Sequence, residues 1–214
     1  MMKISSIAIS LLLMLSAIYV FYQQPSWLTY FQANKLPLNG HMTSFKLSDV
    51  TMKNQYGELV SWQDYQDRPL YVTLGFTSCP NTCPVTMSYY KNLARLLDDQ
   101  AVFSLITIDP VRDTESVMRS YLGAINESFV GLIIKDTQRL NRVAGELKQS
   151  IFVSSTGNEY IHSGTIYLIH PKASGLIIYN NNNLNIESML DDFQRLGRTN
   201  FNKQTEANEK KLEI

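Results

Sequence analysis

Read from its N-terminus, the chain begins with an apolar block, passes into alternating strand and helix patterns, and ends in polar sequence. Ile4 to Tyr22 is almost wholly apolar, interrupted only by a few serines. Leu70 to Phe76 ("LYVTLGF") and Ala101 to Ile108 ("AVFSLITI") are short continuous apolar runs, the pattern of strands buried on both faces. Pro84 to Leu97 carries Val85, Leu93, Leu96 and Leu97 at helical spacing, with proline in the opening turn, where its missing N–H costs nothing. Asp113 to Leu122 and Thr137 to Leu147 suit helices, and Phe129 to Ile134 suits a strand or part of a turn. Thr165 to Ile169 and Leu176 to Tyr179 are strands joined by "HPKASG", a hairpin signal, and Ile186 to Leu196 closes as a helix. Ahead of the first buried strand, "SFKLSDVTMKNQYGELVSW" reads as an added N-terminal hairpin turning at Gln55, Tyr56 and Gly57. Strand and helix in alternation, then a hairpin and a final helix, predict an α/β sandwich around a mixed central sheet.

The apolar block is about 19 residues long, enough to cross a bilayer core of roughly 30 Å. Two readings compete for it. A cleaved signal peptide ends in small residues, whereas this block ends in Tyr19, Val20, Phe21 and Tyr22. Tyr19, Tyr22, Trp27 and Tyr30 also resemble an interfacial aromatic belt, and Lys3 is the last charge before Lys35. The pattern favours an uncleaved anchor with its N-terminus in the cytoplasm and all later residues on the far side, the periplasm in a bacterium. Residues 1–22 are then the membrane anchor, 23–42 a linker, 43–197 the folded domain and 198–214 a polar tail poor in apolar anchors. Over its 214 residues the chain balances 19 basic against 19 acidic side chains. No basic stripe with interleaved aromatics is present, so nucleic acid is not an expected partner.

The chemistry concentrates in "GFTSCPNTCPVT", which holds both cysteines, Cys79 and Cys83. They fall where the first buried strand gives way to a helix, the place where a thioredoxin-type fold keeps its redox motif. The pair could be a structural disulfide, a redox couple or half of a metal site. A disulfide is the ordinary fate of two thiols in an exported protein. Closing so short a loop, however, restrains the unfolded chain by only roughly 2 kcal/mol, against ~3 for a fifteen-residue loop. The functional readings have a physical basis, because unpaired N–H groups at a helix N-terminus stabilise a thiolate and lower its pKa. A metal needs a further ligand, and the chain has three histidines. His41 reads as a solvated linker residue, His170 as a strand-end residue and His162, taken alone, as a loop residue before the strand "TIYLI". Two thiolates and one imidazole form a soft three-coordinate set that suits Cu(I), whereas zinc normally takes a fourth ligand. Met87, one helical turn after Cys83, reads as a packing residue, with a weak thioether contact to a metal as the alternative.

Three blocks, "GFTSCPNTCPVT", "IDPVRDT" and "YIHSGTIYLIHP", resemble in sequence and order the signature blocks of the Sco (SenC/PrrC) family. The resemblance runs from about Thr43 to Leu196. It implies a thioredoxin-like fold, here with the added N-terminal β-hairpin and preceded by a single transmembrane helix. It implies copper as the bound metal, carried as Cu(I) with Cu(II) as a second state, and ligands at Cys79, Cys83 and His162. It further implies a role in assembling the binuclear copper site of cytochrome c oxidase. The partners would be the copper-site subunit of that oxidase, other copper chaperones and thiol reductants. The location would be the inner (cytoplasmic) membrane. Asp109, Pro110, Arg112, Asp113 and Thr114 fall in the second block, where a structural role is expected: Asp113 or Thr114 capping the next helix, Arg112 pairing with a carboxylate. The sequence departs from the family's usual acidic residues at Asn81, Ile161 and His170, and each change is expected to remove a carboxylate near the site.

Two functions fit this reading. One is a metallochaperone that holds copper and passes it on by ligand exchange. The other is a thiol–disulfide reductase, with Cys79 and Cys83 as its redox-active pair, that keeps the copper-ligand cysteines of a target reduced. A thiol peroxidase or redox sensor fits less well, since such proteins do not need His162. The anchor reading has its own test: N-terminal sequencing of the mature protein is expected to find the chain intact from its start. A mature chain beginning near Gln23 would replace the anchor with a cleaved signal.

Overall fold

The computed structural model describes residues 14–16, 38–46, 48–80, 82–153, 160–161, 163–171, 173, 175–180 and 184–197. The segments assigned to the anchor (except 14–16, which are helical), to the linker up to residue 37 and to the tail lie outside these residues. Among the described residues no helix is long and apolar enough to cross a membrane.

The fold is organised by strand β4 (Leu70–Gly75), in which all six residues are buried. Leu70, Val72 and Leu74 enter one core cluster and Tyr71 the other, as the two-residue period of a strand requires. A strand covered on both faces must also be paired on both edges. β4 runs parallel to β5 (Val102–Thr107) and antiparallel to β9 (Ile166–Ile169). The parallel pair needs a crossover, and helix α1 (Thr82–Leu97) supplies it. The sheet grows outward from this centre. β5 pairs parallel with β6 (Val130–Ile133), and β9 pairs antiparallel with β10 (Gly175–Tyr179). With β1 (His41–Ser44), β2 (Met52–Asn54) and β3 (Leu59–Val60), the eight strands of this sheet among the described residues run in the order β1-β10-β9-β4-β5-β6-β2-β3. Helix α2 (Glu115–Ile125), α1 and the closing helix α4 (residues 186–197) contribute to the core around Tyr71 and Phe103; α3 (Thr137–Glu146) contributes Leu140, Val143 and Ala144 to the other. A separate short ribbon joins β7 (Phe152–Val153) to β8 (Tyr160–Ile161).

The expected N-terminal hairpin is present as β2 (Met52–Asn54) and β3 (Leu59–Val60). Its turn uses Gly57 at φ +82°, a left-handed conformation that glycine adopts without cost. Asn54 secures the turn by accepting the N–H groups of Tyr56 and Glu58 on its side-chain oxygen. The buried Gln55 then sews the hairpin to its neighbour: its amide donates to Phe129 O at 2.8 Å and accepts from Gly131 N at 2.9 Å.

Two expectations need correction. On α1 the buried stripe is Cys83, Met87, Tyr90, Ala94 and Leu97, with Thr86 and Leu93 beside it, while Val85 and Leu96 are 57% and 52% exposed. The stripe is set by a cysteine and a tyrosine that a count of aliphatic letters passes over. The domain also begins earlier than Thr43. Strand β1 (His41–Ser44) takes up His41 and Met42 and pairs antiparallel with β10, covering what would otherwise be a bare edge. Gly40 permits that approach, since a Cβ there would lie 2.4 Å from Ile177 Cγ2.

Just before β1 the chain is gripped by Asp192 of α4. This fully buried carboxylate accepts Asn39 N at 2.9 Å, Gly40 N at 2.8 Å and the Tyr179 hydroxyl at 2.8 Å. Hydrogen bonds to a charged acceptor contribute about 1.5–3 kcal/mol each, and removing the acceptor strands buried donors. Asp192→Ala is expected to destabilise the domain by about 2–4 kcal/mol, measured by urea unfolding, with the thiol pair still able to form a disulfide.

Candidate metal and redox site

β4 ends at Gly75, where Ile108 N–H donates to Gly75 O at 2.9 Å and pins the strand end to β5. The next four residues form a turn closed by Cys79 N–H on Phe76 O at 3.2 Å. Helix α1 begins at Thr82, so Cys83 sits in its first turn. The Cys83 N–H, in the first turn where helix donors have no intrahelical acceptor, donates to Cys79 Sγ at 3.5 Å. Tight turn and helix start together place the two sulfurs on one side of the loop. No disulfide joins them.

The two thiols differ. Cys79 is half-buried and receives the helix N–H; Cys83 is 2% exposed. Burial pushes the Cys83 thiol up to about 12, with the Phe76 backbone pulling it partly back and the nearby Cys79 and Asp113 raising it further. The lowered pKa expected at a helix N-terminus therefore does not hold for Cys83 in the metal-free protein. Desolvation outweighs the helix donors.

The second block packs against this loop. Arg112 Nε pairs with Asp109 Oδ2, as expected of its guanidinium. Thr114 caps α2, its hydroxyl accepting Val117 N–H at 3.4 Å. Asp113 is not the cap: its carboxylate is fully buried and reaches across to Thr77 in the cysteine turn. Tyr121 of α2 also lies within electrostatic reach of the pair, and no motif in the sequence marks it. Its hydroxyl is pushed up to about 12, first by burial, then by the charges of Cys83, Cys79 and Asp113.

His162 lies outside the described residues. The chain that follows it is well placed: Thr73 lies opposite Ile166 in the β4–β9 register, so Ser163 to Thr165 reach the C-terminal end of β4, the end that carries the cysteines. Thr73 Oγ1 donates to Thr165 O at 2.9 Å there, and the Ser163 and Thr165 hydroxyls are 2.7 Å apart. The other histidines are elsewhere. His170 follows Ile169, which lies opposite Leu70 at the start of β4. It is roughly 13 Å along the strand from Ile166 at ~3.3 Å per residue, buried edge-on against Phe193. His170 is thus too far away to remove a carboxylate from the neighbourhood of the thiols, which corrects that expectation. His41 is exposed on β1, three strands away from β4. Met87 is 3% exposed in the core around Tyr90, the packing role expected of it. Among the described residues no three His, Cys, Asp or Glu side chains converge on one point.

The SCO1/SenC family profile matches residues 41–198. A Stutzerimonas stutzeri protein named as copper-binding is 36% identical over 138 residues, 60% of this chain. The match spans 66% of that relative, just under two thirds of its length. Among solved structures, Arabidopsis thaliana ScoI with copper bound superposes with a TM-score of 0.63 at 19% identity, covering 71% of this chain and 98% of that one. BsSco, described as a Sco-family cytochrome c oxidase assembly protein with a disulfide switch, superposes at 0.62 and 18% identity, over 73% and 96% of the two chains. At such identities these structures establish the fold, which is thioredoxin-like.

The raised Cys83 pKa has a measurable consequence. Between pH 9.0, the ordinary thiol value, and about 12, the unfolded chain has lost a proton that the folded chain keeps. Stability must then fall as pH rises through this window, and the contribution is fully present below it. Buried tyrosines act with the same sign, so the comparison is with Cys83→Ala. Under reducing, metal-free conditions the parent is expected to lose more stability than the variant from pH 9 upward, measured by urea midpoints.

Proposed function

We propose, for a chain that belongs to the SCO1/SenC family, that it is a membrane-anchored copper metallochaperone. It holds copper through Cys79, Cys83 and His162 and passes it to the binuclear copper site of cytochrome c oxidase during assembly. The observation that carries this reading is the pair of thiols where β4 passes into α1, one half-exposed and one buried, with the helix N–H on Cys79 Sγ. Two thiolates and an imidazole are a soft set suited to Cu(I), and the segment after His162 reaches the same end of the sheet. Cu(II) is the second state of the cargo. Metal must displace the thiol protons, the Cys83 proton above all, so loading releases protons and strengthens as pH rises. The half-exposed Cys79 is the ligand a partner can reach, and transfer runs by exchange of its bond to copper for a partner's ligand. The partners are the copper-site subunit of the oxidase, other copper chaperones and thiol reductants. The domain stands on the periplasmic side of the inner membrane, tethered by residues 1–22.

The same asymmetry supports a second reading, a thiol–disulfide reductase. Cys79, as thiolate, would attack a target disulfide and release one target thiolate. Cys83 would then displace the second, leaving a Cys79–Cys83 disulfide and a reduced dithiol target. A thiol reductant would restore the pair with two electrons and two protons.

His162→Ala separates the readings. In a copper titration the reduced parent is expected to bind one copper, and the oxidised parent very little, because a disulfide removes both thiolates. Reduced His162→Ala is expected to bind copper at least ten- to hundredfold more weakly, the range seen even for groups that only support a ligand. Its exchange with a dithiol should be unchanged. Oxidase assembly that stays normal in His162→Ala cells, yet fails with Cys79→Ser or Cys83→Ser, would favour the reductase over the chaperone.

A further inference from the structure

We propose that Asp113 is a positioning residue for the thiol pair, holding the cysteine turn in the geometry that both metal binding and disulfide formation use. The proposal rests on reading Cys79 and Cys83 as the working groups. Its basis is where the carboxylate is spent. Asp113 stands next to the N-terminus of α2 and is well placed to cap it, yet Thr114 does that work. The Asp113 side chain instead leaves its own loop and is fully buried between two others. Its Oδ1 accepts the Thr77 hydroxyl at 2.5 Å; its Oδ2 accepts Thr77 N–H at 3.0 Å and the Thr107 hydroxyl at 2.6 Å.

Those partners lie at a strategic place. Thr77 is inside the Phe76–Cys79 turn, two residues before the half-exposed thiol, and it is held through both backbone and side chain. Thr107 ends β5, and its hydroxyl also accepts Asp109 N–H at 3.0 Å. One carboxylate thus joins the sheet, the second sequence block and the cysteine turn. Without it the turn retains the Cys79 N–H bond to Phe76 O but loses both restraints on Thr77. The Cys79 sulfur would then sample positions away from Cys83 N–H, and the effective concentration of one thiol at the other would fall. The sequence assigns this aspartate no more than a cap or loop role.

The test uses the full chain in mild detergent, with Asp113→Asn and Thr77→Val. Asparagine keeps the shape but offers one acceptor oxygen to three donors, and valine removes only the hydroxyl bond to Oδ1. Two quantities are read on folded protein: Cu(I) affinity by competition, and the dithiol–disulfide equilibrium of Cys79–Cys83 against glutathione. Asp113→Asn is expected to weaken copper binding ten- to hundredfold. It should also shift the equilibrium toward the dithiol about tenfold, or 30 mV for this two-electron couple. Thr77→Val is expected to move both in the same direction by less. A lower urea midpoint with both quantities within twofold of the parent would make Asp113 a purely structural residue and overturn the proposal. If Asp113→Asn does not fold, Thr77→Val decides by the same criterion. The glutathione equilibrium needs no metal, so it judges the positioning role even if the parent binds no copper and the chaperone reading fails.

Discussion

Strand β4 has no free edge and no free face. Its backbone is paired with β5 on one side and β9 on the other, and its side chains fill both cores. A one-residue slip would invert every buried side chain, so the strand's end is fixed in space to within the tolerance of a packed core. The chain must leave that end through a turn and enter α1 at once, because the parallel partner β5 demands a crossover. Everything at the candidate site follows from this constraint. The turn holds Cys79, the first helical turn holds Cys83, and the antiparallel neighbour β9 returns the segment after His162 to the same end.

The surroundings of the two sulfurs make them chemically unequal. The one nearer solvent receives a backbone N–H, and the one beneath it pays no visit to water and keeps its proton. A cation that bonds both would relieve the desolvation that now disfavours the buried thiolate, which is how a metal-free dithiol can be unreactive at its inner sulfur yet competent to close around a soft ion. A disulfide relieves the same strain by another route, since it carries no charge at all. The buried Asp113 beside Cys83 makes both neutralising outcomes more favourable than a free inner thiolate.

Much of this was legible in the residues. The buried strands announce themselves because a strand covered on both faces leaves no polar position to hide the pattern; β4 and β5 fall within one or two residues of the runs that predict them. The hairpin was readable from Gly57, whose backbone only glycine adopts freely. The stripe on α1 was not, because burial there is decided by which letters meet the sheet, and Cys83 and Tyr90 win over Val85 and Leu96. Edge strand β1 is short and half polar, so only its partner β10 reveals it. Of the site, the two cysteines were marked in the sequence by their place where the first buried strand gives way to a helix. The remoteness of His170 follows from register, and the reach of Asp113 to Thr77 and the place of Tyr121 near the thiols join segments more than 30 residues apart. Neither kind of fact is written in local pattern.

The grip of Asp192 on Asn39 and Gly40 gives the domain a mechanical character. Tension arriving along the polypeptide before Leu38 meets this clamp ahead of β1, and the clamp belongs to a helix seated in the core. Force applied there is therefore met first by α4 and Tyr179, ahead of the edge strand. The cysteine turn, at the end of β4, is separated from that load path by β9 and β10.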